Sequence, residues 1–195
     1  MLSDYSPKAS YDSRYFGAVP KETFSGSLPP SIHSNLDISM DINLYQDCIY
    51  HVHPTTVVQI IKNESSFNPI AINVNTLKGQ TSPRYKPPKT AQEAIRLAEY
   101  YVSLGHSVDL GFMQVNTNNL DYYGVTIADM FEPCRNINIG SRILYENYQR
   151  ALKRNPDPSQ ALQIALSYYN TGSPSKGFEN GYVDKYINTK LITVF

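Results

Sequence analysis

The chain has no tryptophan and only two cysteines, Cys48 and Cys134, in 195 residues. Two distant thiols make either one disulfide or two idle side chains. The count excludes a disulfide-dense miniature scaffold and leaves the redox compartment open. Neither sign of charge is in surplus, with 17 Lys and Arg against 17 Asp and Glu. Strong non-specific binding to nucleic acid or to an anionic membrane needs a basic excess, so neither is expected as a partner. No apolar run is long enough to span a bilayer. The first thirty residues hold no signal-peptide core. The expectation is that export information is absent from this chain or that the protein reaches its target another way.

Tyrosine is abundant instead, 16 against 7 phenylalanines. An apolar ring with a hydrogen-bonding tip suits a groove for a polar polymer such as a glycan. It also packs at any half-buried surface. The length suits one domain with a proper core and a tail. Residues 1–40 read as the tail, an extended arm or linker. "YSPKASYDSRYFGAVPKETFSGSLPPSIHSN" is rich in Ser, Pro and Gly and has no sustained period. Its scattered Tyr5, Tyr11, Tyr15 and Phe16 give it chemistry for docking. Residues 41–195 read as the folded domain.

From Leu44 the pattern is helical. Pro54 fits a first helical turn ahead of Val57, Val58, Ile60 and Ile61, and Pro69 disfavours helix at Asn68. "IAINVNTLKGQTSPRYKPPK" reads as a loop with room for a small hairpin. Thr90 and Glu93 make a capping box for a helix striped by Ala94, Leu97, Ala98 and Tyr101, with Gly105 as its stop. Thr126 and Asp129 open a short helix. Asn136 is expected to cap a long one with Ile137, Gly140, Leu144, Tyr148 and Ala151 on one side. Asp157 and Pro158 start the next, striped by Ala161, Ala165 and Tyr168 or Tyr169, and an amphipathic piece begins near Tyr182. The sum is a mainly α domain with one irregular, glycine-punctuated insertion.

Within "IIKNESSFNP", Glu64 lies seven, four and three positions after Val57, Ile60 and Ile61, so it shares their stripe. Apolar neighbours desolvate a carboxylate, and the last turn of a helix presents partial negative charge to it. Both favour the protonated form, so Glu64 has the makings of a general acid. The plain alternative is a terminal glutamate turned into solvent.

"ESSFNP", "LGFMQVN" and "SYYNTG" occur in that order. Together they resemble the catalytic motifs of family 23 lytic transglycosylases, relatives of goose-type lysozyme. The segments "VHPTTVVQIIKNESSFNPIAINVN", "GHSVDLGFMQVNTNNL", "FEPCRNINIGSRIL" and "GFENGYV" are similar to the VirB1-type transglycosylases of type IV secretion and conjugation systems. The resemblance covers residues 45–185 and implies an α+β, lysozyme-like fold. It implies that Glu64 is the single catalytic acid and base, and that Ser65 orients the glutamate or the substrate. Gly111, Met113, Gln114 and Asn116 would line the sugar groove. The Tyr169 hydroxyl would approach the Glu64 carboxyl group, with Asn170 holding the groove. Cys48 and Cys134 match the subgroup's cysteines, which implies a disulfide and an oxidising compartment. Phe112 stands where leucine is usual, and the bulkier Tyr168 precedes the Tyr-Asn pair.

The implied reaction cleaves the bond between N-acetylmuramic acid and N-acetylglucosamine and closes a 1,6-anhydro ring, with no cofactor and no metal. The expected partners are peptidoglycan strands, with secretion machinery or phage virion proteins reached through the arm. The expected location is the periplasm or cell envelope, or else a virion. Most glycosidases need two carboxylates. Asp109 is the best second candidate, and its plain reading is a turn or cap residue. Three rivals remain: a hydrolase using Asp109 or another carboxylate with water, a non-catalytic glycan-binding or assembly module, and a phage-borne wall-opening enzyme. Cys48, His51 and His53 in "CIYHVHP" have ligand chemistry but no second cluster to complete a zinc site.

Overall fold

A computed structural model describes residues 42–187. The expected arm, residues 1–40, lies outside them. The described chain opens with a 3-10 helix at Ile42–Cys48. It continues through α1 (Pro54–Ser65), β1 (Ile72–Val74), α2 (Ala91–Ser103), β2 (Val108–Leu110) and β3 (Val115–Asn116). Short 3-10 turns at Thr117–Asn119 and Ala128–Phe131 flank α3 (Leu120–Tyr123). Then come α4 (Pro133–Leu152), α5 (Pro158–Thr171), α6 (Lys176–Glu179) and α7 (Asp184–Ile187). The architecture is mainly helical with one three-stranded antiparallel sheet in the order β1-β2-β3. Among the described residues no helix is long and apolar enough to cross a membrane.

Local signals set most helix starts. Pro54 opens α1, and the His53 imidazole accepts from the Thr55 amide. Thr90 accepts from the Glu93 amide at α2, Asp157 from the Gln160 amide at α5, and Thr126 and Asp129 bond reciprocally. Gly105 and Gly172 follow their helices with positive φ.

One boundary differs from expectation. The long helix begins at Pro133, with Glu132 at its cap, so Asn136 lies inside it. The Asn136 side chain does a different job: it accepts from the Met113 amide and donates to the carbonyls of Leu110 and Met130. The first helix ends at Ser65, at the expected segment before Pro69, and Ser66 and Phe67 beyond it both adopt left-handed backbone. The insertion is also not self-contained. Its strand β1 pairs with β2, beyond α2, and β2 and β3 form the hairpin.

Two apolar clusters fill the domain. One gathers Val57, Ile60 and Ile61 of α1 with Met113, Ile137, Leu144, Leu162, Leu166 and Tyr186. The other gathers Val74, Val108, Leu110 and Val115 of the sheet with Ala94, Ala98, Met130 and Ile139. Helix α4 serves both, through Ile137 and Leu144 in the first and Ile139 in the second. A Cβ on Gly140 would sit 2.6 Å from the Met113 sulfur, so a side chain there would displace the hairpin turn from the helix. Cys48 and Cys134 form a disulfide with Cα atoms 5.2 Å apart, joining the first 3-10 helix to the start of α4.

Candidate active site

Val57, Ile60 and Ile61 are fully buried. Burying each contributes about 1.5–3 kcal/mol, so together they fix the rotation of α1 against the core. That rotation leaves Glu64 half-buried at the C-terminal end of the same stripe. The two left-handed residues after it turn the chain away, so no further helical turn covers the carboxyl group. Burial pushes its pKa above the usual carboxylate range, and the charge of Asp109 adds to the rise. A hydrogen bond from Tyr182 and the charge of Lys185 oppose it.

The tyrosine that meets Glu64 is Tyr182. Its hydroxyl donates to Glu64 Oε1, and the buried Tyr186 donates to the Tyr182 oxygen at 2.9 Å. Each donation polarises the next, so the pair acts as one directed donor to the carboxyl group. Burial holds both phenols far above their ordinary range, which keeps them as donors. Both come from the segment Tyr182–Ile187, where α7 docks into the first cluster. Sequence reasoning placed an amphipathic piece there without a role. The available signal was the i, i+4 spacing of Tyr182 and Tyr186, which puts both on one face.

Tyr169 lies close by, but its hydroxyl donates to the Met113 carbonyl at 2.7 Å and makes no bond to Glu64. Burial and then the neighbouring Glu64 charge push its pKa well up. It anchors the hairpin turn to α5. Tyr168 points the other way: its hydroxyl accepts from Arg154 and its ring lies under Arg150. One step of helix separates the two tyrosines, so the bulky residue before the Tyr-Asn pair stays clear of Glu64. Ser65 donates to the Ile61 carbonyl, its own helix neighbour four residues back. Asn170 is exposed and accepts from Asn180 at 2.9 Å.

The turn between β2 and β3 brings the remaining residues together. Gly111 has φ of 70°, and any Cβ on it would collide with the Met130 carbonyl and the Asn136 amide. The close approach it permits is therefore to α4. Met113 is fully buried and presents no side-chain surface to a ligand. Gln114, at a φ of 49°, donates to the carbonyls of Gly111 and Ala71 and so pins the turn to the segment before β1. Asn116 donates to Asp109 at 2.6 Å and caps the following turn through the Asn118 amide. Asp109 is neither a turn nor a cap residue; it sits mid-strand in β2, paired with Asn73 and Asn116.

Among the described residues no group of three or more His, Cys, Asp or Glu side chains converges as a metal site would require. Cys48 is spent in the disulfide and His53 in capping α1. What the arrangement offers is acid and base chemistry at a carboxyl group on a helix end whose pKa burial pushes up, with a second carboxyl group on the sheet.

Comparison with known proteins gives the family. Residues 42–192 match the transglycosylase SLT domain. The type IV secretion system protein virB1 of Brucella suis biovar 1 is 37% identical over 156 residues, covering 77% of this chain and 63% of that protein. Protein virB1 of Agrobacterium fabrum is 30% identical over 161 residues, covering 83% and 63%. Protein virB1 of Rhizobium radiobacter is 34% identical over 170 residues, covering 87% and 68%. The chain thus spans 63% of the length of the Brucella protein. No solved structure matches it significantly. With the domain matched over most of its length and the virB1 proteins aligned beside it, the chain belongs to the transglycosylase SLT domain family.

Proposed function

We propose that this chain is a peptidoglycan lytic transglycosylase. It cleaves the β-1,4 bond between N-acetylmuramic acid and N-acetylglucosamine and leaves 1,6-anhydromuramic ends. The observation that carries the reading is the seat of Glu64, a carboxyl group at the end of an apolar helix stripe whose burial favours the protonated form. Because Oε1 accepts from Tyr182, Oε2 is the oxygen left to hold the proton. That proton goes to the glycosidic oxygen as the bond breaks. The resulting carboxylate then takes the proton of the muramic C6 hydroxyl as its oxygen closes on C1, which returns Glu64 to its starting state.

The remaining residues are assigned by support rather than by direct contact. Tyr182 and Tyr186 hold the Glu64 carboxyl group in one orientation. Tyr169, Met113, Gly111 and Gln114 fix the hairpin turn that forms the facing wall. Asn116 and Asn170 are assigned to the groove, and Ser65, bonded to the Ile61 carbonyl, steadies the last helical turn beside the acid. The name of the Brucella relative places it in a type IV secretion system, which supports a role in opening the wall locally for such an apparatus, and hence a location in the cell envelope. Residues 1–40 are assigned to recruitment, since the matched domain begins at residue 42. A chain starting at Asp41 is expected to cleave isolated peptidoglycan and to lose attachment to its apparatus.

The test is the mass spectrum of products from purified peptidoglycan. Anhydromuropeptides, one water lighter than hydrolysis products and without borohydride-reducible muramic ends, support the reading. Reducible ends on every product make the chain a hydrolase, and no cleavage at all by the intact chain removes the enzymatic reading.

A further inference from the structure

One face of the sheet carries an arrangement that the single-acid scheme does not use. Asn73, Asp109 and Asn116 are direct cross-strand partners, one on each strand, so their side chains share a face. Asn75, two residues after Asn73, joins them. All three amides turn their nitrogen to the one carboxyl group. Asn73 and Asn75 donate to Asp109 Oδ2 at 3.0 Å, and Asn116 donates to Oδ1 at 2.6 Å. Both oxygens accept, so one carboxyl group takes three amide donors at once. A strand that needed only a tie to its neighbour would be served by one such bond.

Among the described residues no lysine or arginine forms an ion pair with Asp109, so its charge is held by neutral dipoles and left uncancelled. That charge is felt at Glu64, where it favours the protonated form, and at Tyr169. The two coupled carboxyl groups thus have contrasting surroundings, one at the end of an apolar helix stripe where burial favours the protonated form, the other set among three amides. Glycosidic bond cleavage asks for that division: a proton for the leaving oxygen and negative charge for the cationic sugar.

We propose that Asp109 is a second catalytic carboxylate, its charge facing the anomeric carbon and stabilising the positive charge that develops there. The proposal rests on the function assigned above and adds to it a residue that the single-glutamate scheme lacks. The proton of Glu64 passes to the glycosidic oxygen. The C1–O bond breaks, and its electron pair stays with the departing glucosamine oxygen. The positive charge left on C1 and the ring oxygen is held by Asp109. The C6 oxygen of the same muramic unit bonds to C1, and its proton passes to the Glu64 carboxylate. Asp109 ends as it began, and no water is consumed.

The experiment compares the intact chain with Glu64→Gln, Asp109→Asn and Asp109→Ala on purified peptidoglycan, with kcat, KM and melting temperature measured for each. Loss of one preorganised charge facing a transition state lowers kcat by about 10²-fold or more while KM moves little. That is the expectation for both Asp109 variants, with added formate restoring turnover to Asp109→Ala by replacing the missing negative charge. Asp109→Asn activity within threefold of the intact chain overturns the inference. So does a loss that follows a lowered melting temperature and does not respond to formate, which would mark Asp109 as a strand fastener. Should Asp109→Ala fail to fold, the isosteric Asp109→Asn carries the same reading through its kcat and KM. If Glu64→Gln cleaves like the intact chain, or the intact chain does not cleave, the assigned function fails first and this inference with it.

Discussion

Glu64 and Asp109 reach the site from opposite kinds of structure. Glu64 lies in the last turn of a helix, on a stripe shared with the fully buried Val57, Ile60 and Ile61, and its carboxyl group accepts from a phenol. Asp109 stands in the middle strand of a small sheet whose exposed face is asparagine. Burial among apolar groups discourages charge, whereas three converging amides accommodate it. The same functional group thus meets two opposite environments because one sits at a helix end over a core and the other on a polar sheet face. Fold class alone sets neither; the neighbours within a few ångströms do.

The most severe way to break the comparison is to remove the acid. Glu64→Gln keeps the shape and the acceptor for Tyr182 but has no proton to give, and kcat is expected to fall by about 10²–10⁴-fold. Circular dichroism of the variant is expected to match the intact chain. Loosening the anion instead is a smaller step. Asn73→Ala removes one of the three amides at an exposed strand position, and kcat is expected to fall about tenfold with little change in melting. An unchanged kcat would show that two amides hold Asp109 as well as three.

Tyr182→Phe sharpens the difference from the other side. Tyr182 lowers the Glu64 pKa against the upward push of burial, so its loss raises that pKa further. Activity falls as rising pH ionises Glu64, and in Tyr182→Phe this alkaline limb is expected at higher pH, with kcat lower by about tenfold from the lost orientation. A limb that stays put or moves down contradicts the assigned bond. The smallest effect concerns stability. A folded-state pKa above the unfolded value makes stability greatest at low pH, and the contribution is lost as pH rises through the folded pKa. Glu64→Gln is free of that loss. It is expected to melt a few degrees above the intact chain at neutral pH, with the gap closing toward pH 4.

Much of this was legible because it is local. The stripe Val57, Ile60, Ile61 and Glu64 is a matter of helical period, and the caps at Thr90, Thr126 and Asp157 are matters of three-residue spacing. The asparagine cradle was not. Its strands are two or three residues long, and Asn73 and Asp109 are 36 residues apart, so no local pattern announces their pairing. Only the in-phase alternation of "INVN", "VDL" and "VN" hints that the three Asn and the Asp share a face. Tyr182 was harder still, at 118 residues from Glu64. Tyr169 took its expected role because it adjoins the recognised Asn170, while the bond to the acid belongs to a tyrosine in the less distinctive closing segment. Asn136 was misread for the same reason: a residue that caps well in isolation is more valuable where three buried backbone groups need one side chain.

The disulfide between Cys48 and Cys134 has a topological consequence. It closes residues 49–133 into a covalent ring, and that ring contains Glu64, Asp109, all three asparagines and the hairpin turn. The stretch from Lys78 to Lys89, largely exposed, lies within the same ring. A single protease cut there opens the ring into two arms still joined through sulfur, so both carboxyl groups remain on one covalent body. Such a nicked enzyme is expected to run as one species on a non-reducing gel and as two after reduction. It is also expected to lose activity on reduction far faster than the uncut chain does.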